Sequence, residues 1–138
     1  MASKQDFSLD PSLEVDSGEV KWYFISDYYD YPIAGLAIFR GKVLWFSCFG
    51  EDIPQHHIFV LQELSVEELE HELQGKEQFE RMVGTYWSFD RNGDPLPTET
   101  ASDELRAQYF RENKPTPFLG PLPRPIVAWF DVEARECQ

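Results

Sequence analysis

The chain has 138 residues, the length of one compact domain, and its 42% hydrophobic and 15% aromatic content is enough to fill a core, which argues against global disorder. Twenty-five acidic residues against twelve basic ones leave a formal net charge of -13, which argues against a phosphate-binding basic footprint, so no nucleic-acid partner is expected and a protein with a basic surface is favoured. No apolar run approaches the roughly 18 to 20 residues of a membrane-spanning helix, and Met1 to Phe7 lacks a signal peptide's apolar stretch, so a cytoplasmic protein with no membrane contact is expected.

Residues 1–19 carry one Lys and five acids, with Phe7, Leu9, Leu13 and Val15 in weak periodicity. They read as a loosely ordered acidic arm, with an edge strand as the alternative. Residues 20–138 read as a single α+β domain. Val20 to Ser26 is aromatic and β-branched and predicts a strand. A turn-rich segment follows from Asp27 to Pro32. Ala34 to Phe39 and Lys42 to Phe49 then predict a hairpin closed at Arg40-Gly41, where Gly can supply the positive φ of a tight turn. The second arm and the run His57 to Leu64 are apolar at both parities, so each should be covered on both faces. Cys48 lies in the second arm and is expected to be buried. With Cys137 it forms neither a disulfide framework nor a metal-ligand spacing, and both are expected to be reduced.

Ser65-Val66-Glu67-Glu68 is a capping box that starts a helix. Val66, Leu69 and Leu73 form its apolar stripe, and Phe79, Met82 and Val83 drift off it, so two short helices meeting at Gly75 are favoured over one continuous bent helix. Thr85 to Phe89 suggests a further strand, and Asp90-Arg91-Asn92-Gly93-Asp94 a turn. A helix from Ala101 to Glu112 is predicted, capped by Thr100, with Ala101, Leu105 and Tyr109 as its apolar stripe. Residues 115–125 hold five of the ten prolines and predict an extended connector anchored by Phe118 and Leu122. Ile126 to Val132 reads as the last strand. The expected fold class is α+β: an antiparallel β-meander sheet of about five to six strands with two or three short helices packed on one face.

Asp27-Tyr28-Tyr29-Asp30-Tyr31-Pro32 gathers two carboxylates and three phenols in six positions. It reads either as a binding loop, since Tyr offers large contact area at low entropic cost, or as a turn whose Asp side chains satisfy local backbone N–H groups. His56-His57 could join Asp27, Asp30, Glu51 or Asp52 at a metal, but neighbouring strand residues point to opposite faces, so no metal site is expected. The Asp90–Asp94 run lacks the closing bidentate Glu of a calcium loop. Ser47 and Cys48 are mid-strand, no nucleophile elbow or phosphate-cradling glycine loop occurs, and no catalytic set or cofactor is expected. Glu67, Glu70, Glu72 and Glu77 look like a solvated helix face with ordinary titration. Between Glu63 and Arg81 seven acids face two bases, whereas Ala101 to Arg124 is near neutral, so the acidity is concentrated where it could steer a basic partner.

Tyr29-Asp30-x-Pro32-Ile33-x-Gly35-Leu36, the hairpin through Gly41 to Trp45-Phe46, and the strand leading into Leu64-Ser65-x-Glu67-Glu68-Leu69 together resemble small uncharacterised bacterial proteins, some of them similar to immunity proteins that accompany polymorphic toxins. The resemblance covers the first half of the chain and implies no catalytic residues. The expected function is a non-enzymatic acidic protein-binding domain of immunity or inhibitor type, with Asp27, Tyr28, Tyr29, Asp30, Tyr31, Glu67, Glu70 and Glu72 as partner-binding candidates. The alternatives are a small-ligand-binding or enzymatic domain with its site near Trp22, Tyr28, Tyr29 and Trp45, and a structural subunit of a homo-oligomer.

Overall fold

The computed structural model describes residues 9–28, 32–50, 56–113 and 121–133. It is an α+β fold: a five-stranded antiparallel meander, β1 (Val20–Tyr28), β2 (Pro32–Phe39), β3 (Lys42–Gly50), β4 (His56–Gln62) and β5 (Ala128–Glu133), in sequential order, with helices α1 (Val66–Met82) and α2 (Asp103–Glu112) inserted between β4 and β5. No described helix is long and apolar enough to cross a membrane.

The β2–β3 hairpin turns at Arg40 (φ 50°) and Gly41 (φ 78°), with Phe39 paired to Lys42. Two consecutive positive φ values match the right-handed twist of the flanking strands. Arg40 tolerates this conformation with its guanidinium 4.7 Å from the Phe39 ring.

A bulge between Trp22 and Phe24 puts Trp22 and Ile25 on one face of the sheet and Phe24 on the other. The first face carries Ala37, Leu44, Phe46, Phe59, Leu61, Ala128 and Phe130, which form the main core. This face is closed by curling: Trp22 of β1 stacks within 4.5 Å of Phe46 and 6.0 Å of Phe130 on β5. The edges are also covered. Ile25 N donates to the Trp87 carbonyl and Phe89 N to the Tyr23 carbonyl along β1, while Val15 N donates to the Trp129 carbonyl along β5. Thr85 to Phe89 is therefore a turn with two isolated bridges, Ser88 to Phe24 on the β1 edge and Phe89 to Pro95, not a further strand of the sheet.

Residues Leu9 to Glu19 lie against β5. Leu9 is buried with Ile58, Val60 and Trp129, Trp129 Nε1 donates to the Asp10 carbonyl, and Glu14 bridges Trp129 in parallel. The aspartates of this stretch make local caps: Asp10 accepts from Ser12 N, and Asp16 from Gly18 N. Its few apolar side chains and the curl of the sheet cover both sides of β4, so Ile58 to Gln62 is sealed within one chain.

The helical segment departs from expectation at Gly75. Both halves of the capping box form, Glu68 N donating to Ser65 Oγ and Ser65 N to Glu68 Oε1. The helix then continues unbroken through Gly75 to Met82. The apolar stripe does continue, at a position occupied by Lys76, whose stem is buried and whose ammonium sits 4.7 Å from the Tyr23 ring and 2.7 Å from Glu80. Phe79, one turn on, packs edge-to-face on Phe24 at 5.7 Å and fixes α1 to the outer face of the sheet. Helix α2 starts two residues later than predicted, because Ser102 takes the cap, accepting from Leu105 N, while Thr100 bridges Gly84. Cys48 is half-buried, not fully buried.

Gln62, wholly buried on the outer face, ties the end of the proline-rich connector to β4 through Leu122 and Arg124. Phe118, the connector's other predicted anchor, lies outside the described residues.

Candidate functional site

Asp27 and Tyr28 are not turn residues but the last two positions of β1, and Pro32 opens β2 opposite Tyr28. Strand pairing reaches this far because the bulged β1 keeps Asp27 in register with Ala34. Tyr29, Asp30 and Tyr31 lie outside the described residues.

The end of β1 forms one wall of a groove of about 400 Å³. Its other walls come from the last turns of α1 (Phe79), the 86–87 segment along the β1 edge, and α2 (Tyr109, Phe110 and its cap Asn113). The aromatic rings form a chain of tilted and edge-to-face contacts. Tyr28 meets Trp87 at 4.6 Å, Trp87 meets Tyr86 at 5.5 Å, Tyr86 meets Phe79 at 5.8 Å, Phe79 meets Tyr109 at 5.5 Å, and Tyr109 meets Phe110 at 5.2 Å. Such geometry follows the ring quadrupoles, and each contact braces the next. The outer members remain open to solvent: Tyr28 is 40% exposed, Tyr86 45% and Phe110 50%. Burial pushes the Tyr109 phenol up, so it stays protonated over a wider pH range. Ser26 and Asp27 bring polar atoms to the same wall.

The acidic candidates lie elsewhere. Glu67 and Glu72 line a second cavity of about 370 Å³ with Trp45, Leu64, Glu68, His71 and Leu122, at the junction of α1, β3 and the connector. Glu70 is exposed on α1 and does not line it. Glu68 is held by Arg124, which donates to both carboxylate oxygens at 2.7 and 2.8 Å. That hydrogen bonding, followed by the Ser65 N–H, lowers the Glu68 carboxyl to about 2, and the same pairing raises Arg124. Glu72 behaves in the opposite way. Far from sitting on a solvated face, it is half-buried, and loss of water raises its pKa, with His71 opposing the shift. Of the predicted acidic face, Glu67, Glu70 and Glu77 are exposed and Glu72 is desolvated, while the neighbouring Glu68 is locked to Arg124.

The structure therefore brings Asp27 and Tyr28 together with residues outside the predicted set: Phe79, Tyr86, Trp87, Tyr109 and Phe110. Two of these had a visible signal. Phe79 falls off the simple apolar stripe of its helix, and Phe110 stands beside, not on, the Ala101-Leu105-Tyr109 line, so both were aromatic residues without an assigned burial partner. Tyr86 and Trp87 were hidden by reading their segment as a strand.

His57 is half-buried, its ring 6.5 Å from Phe59. No cluster of three or more metal-ligating side chains occurs among the described residues. The Asp90 carboxylate is engaged in its own turn, accepting from Asn92 N and Asp94 N. No family model, curated protein or solved structure matches this chain.

Proposed function

We propose that this chain is a non-enzymatic protein-binding domain, acting in the manner of an immunity or inhibitor protein, that covers a partner with a basic surface. The observation that carries the reading is the aromatic groove, with Tyr28, Tyr86 and Phe110 40 to 50% exposed along one continuous chain of ring contacts. Rigid aromatic side chains held by their neighbours lose little entropy on binding and dominate interface energetics. The net charge of -13, with Glu67 and Glu70 exposed on α1, supports long-range attraction of a basic partner. The bulk charge acts on the encounter rate and the groove on the lifetime of the complex.

The test is quantitative affinity capture from the native host, comparing the natural chain with a Tyr28→Ala, Phe110→Ala double variant. A partner retained by the natural chain and lost by the variant is expected. Equal capture of every protein by both would overturn the reading. For that partner, Glu67→Gln with Glu70→Gln should slow association and leave dissociation unchanged.

A second reading, a receptor for a small ligand, draws on the same groove, since it is a concavity in which aromatic walls converge on Asp27. The homo-oligomer reading rested on two-sided apolar strands. Those faces of β4 are covered within one chain.

A further inference from the structure

The composition of the aromatic groove selects the chemistry of its occupant; the argument rests on the groove being the docking surface. Elsewhere among the described residues, the rings of Tyr23 and Phe39 are paired with basic side chains. Lys76 Nζ and the Arg91 guanidinium lie 4.7 and 5.6 Å from the Tyr23 ring, and Arg40 lies 4.7 Å from Phe39. The groove breaks this pattern. It has seven aromatic side chains in its walls and no Lys or Arg among its described lining residues.

Its polar groups point the same way. Ser26 Oγ donates to the Ala34 carbonyl, and one of the two Asn113 Nδ2 hydrogens is donated to the Tyr109 carbonyl. Beside its tyrosine hydroxyls and the Trp87 N–H, the groove offers a guest the Asn113 side-chain oxygen and, as its one charged group, the half-buried Asp27 carboxylate, which has no hydrogen bond or ion pair among the described residues. A half-buried carboxylate in a groove walled by aromatic rings is a complement for a cation with an apolar stem. The chain's charge of -13 adds to the attraction.

We propose that the groove receives a single Lys or Arg side chain projecting from the surface of the partner protein, its methylene stem along the rings and its charged head at Asp27. A side chain is favoured over a free amine by the rim. Tyr28, Tyr86 and Phe110 are exposed around the opening, and only the polypeptide flanking such a side chain would cover them.

The test titrates the isotope-labelled full chain with capped Gly-Ser-Lys-Ser-Gly, with its Arg and Gln counterparts, and with butylammonium. The readouts are the Trp87 indole N–H, assigned through Trp87→Phe, and the Asp27 and Tyr86 amides. The Lys and Arg peptides should shift these signals saturably, the Gln peptide should bind about tenfold more weakly or worse, and Asp27→Asn should weaken the Lys peptide by a similar factor while the rest of the spectrum stays folded. Butylammonium should bind more weakly than the Lys peptide.

Failure to shift the groove signals, equal binding of the Gln peptide, or indifference to Asp27→Asn would overturn the proposal. Butylammonium binding as tightly as the peptide would overturn the choice of a protein-borne side chain in favour of a free amine. The protein-binding reading fails separately, through unchanged capture by the groove double variant. A Gln peptide that binds equally well beside a partner still lost by that variant defeats only the cation.

Discussion

Trp22 on β1 and Phe130 on β5 have ring centroids 6.0 Å apart, although their strands are the two ends of a five-stranded sheet. Four inter-strand spacings of about 4.8 Å would separate them by about 19 Å in a flat sheet. The sheet therefore curls far enough for one indole to cover Phe46, Phe59 and Phe130 together. Trp22→Ala should cost about 3 kcal/mol, measured by urea unfolding, and should increase binding of a hydrophobic dye to the folded state. A loss below about 1 kcal/mol would mean that the inner face is closed by other groups.

Gln62 makes a reciprocal pair with the Leu122 backbone, donating to its carbonyl at 2.8 Å and accepting from its N–H at 3.0 Å, and donates also to the Arg124 carbonyl at 2.8 Å. Replacing it by Leu keeps the volume and orphans these backbone groups. We expect a loss of about 2 to 3 kcal/mol and faster hydrogen exchange at the Leu122 amide. Unchanged exchange at Leu122 would show that the connector is held independently of Gln62.

Glu68 and Glu72, two of the three carboxylates that line the second cavity, should shift acid stability in opposite directions. Glu68 is lowered from 4.5 to about 2 in the folded chain, so its stabilisation is fully present above pH 4.5 and is lost as pH falls towards 2. Glu72 is raised by burial, so protonation favours the folded state, and a penalty grows as pH rises from 4.5 through its folded value. At pH 7 Glu68→Gln should lower the urea midpoint and Glu72→Gln should raise it. Glu68→Gln should also flatten the stability profile between pH 4.5 and 2, and an unaltered profile would contradict the Arg124 pairing as its cause.

Gly75 distinguishes one helix from two. A Cβ built there meets nothing within 4 Å, and α1 runs through it from Val66 to Met82. Gly75→Ala should therefore stabilise the chain by about 1 kcal/mol in thermal or urea unfolding. If Gly75 ended one helix in a left-handed conformation, the same substitution would destabilise it.

The elements legible in the sequence are those held by short-range interactions. The hairpin at Arg40-Gly41, the Ser65–Glu68 capping box and the Asp90 turn depend on side chains within four residues of one another, and each formed as the local pattern implied. Errors arose where a residue's role depended on a distant partner. The two helices expected to meet at Gly75 are one, since the stripe continues through Lys76, whose partner, the Tyr23 ring, comes from another element. Glu72 was read as solvated because the packing that removes its water is invisible along the chain. The groove was half legible: Asp27 and Tyr28 were singled out, but the other aromatic walls come from segments some fifty to eighty residues further on.

By itself the sequence determined an acidic chain, an antiparallel meander with helices, the main turns and caps, and a concentration of aromatic and acidic side chains, because period, turn chemistry and composition act over a few residues. Tertiary structure alone decided which of those side chains meet. It curled the sheet until Trp22 reached Phe130, divided the predicted surface between an aromatic groove and an acidic cavity, locked one glutamate and desolvated another. Those outcomes depend on long-range packing, in which burial, not residue type, sets whether an aromatic ring is core or contact surface and whether a carboxylate is solvated, paired or strained by loss of water.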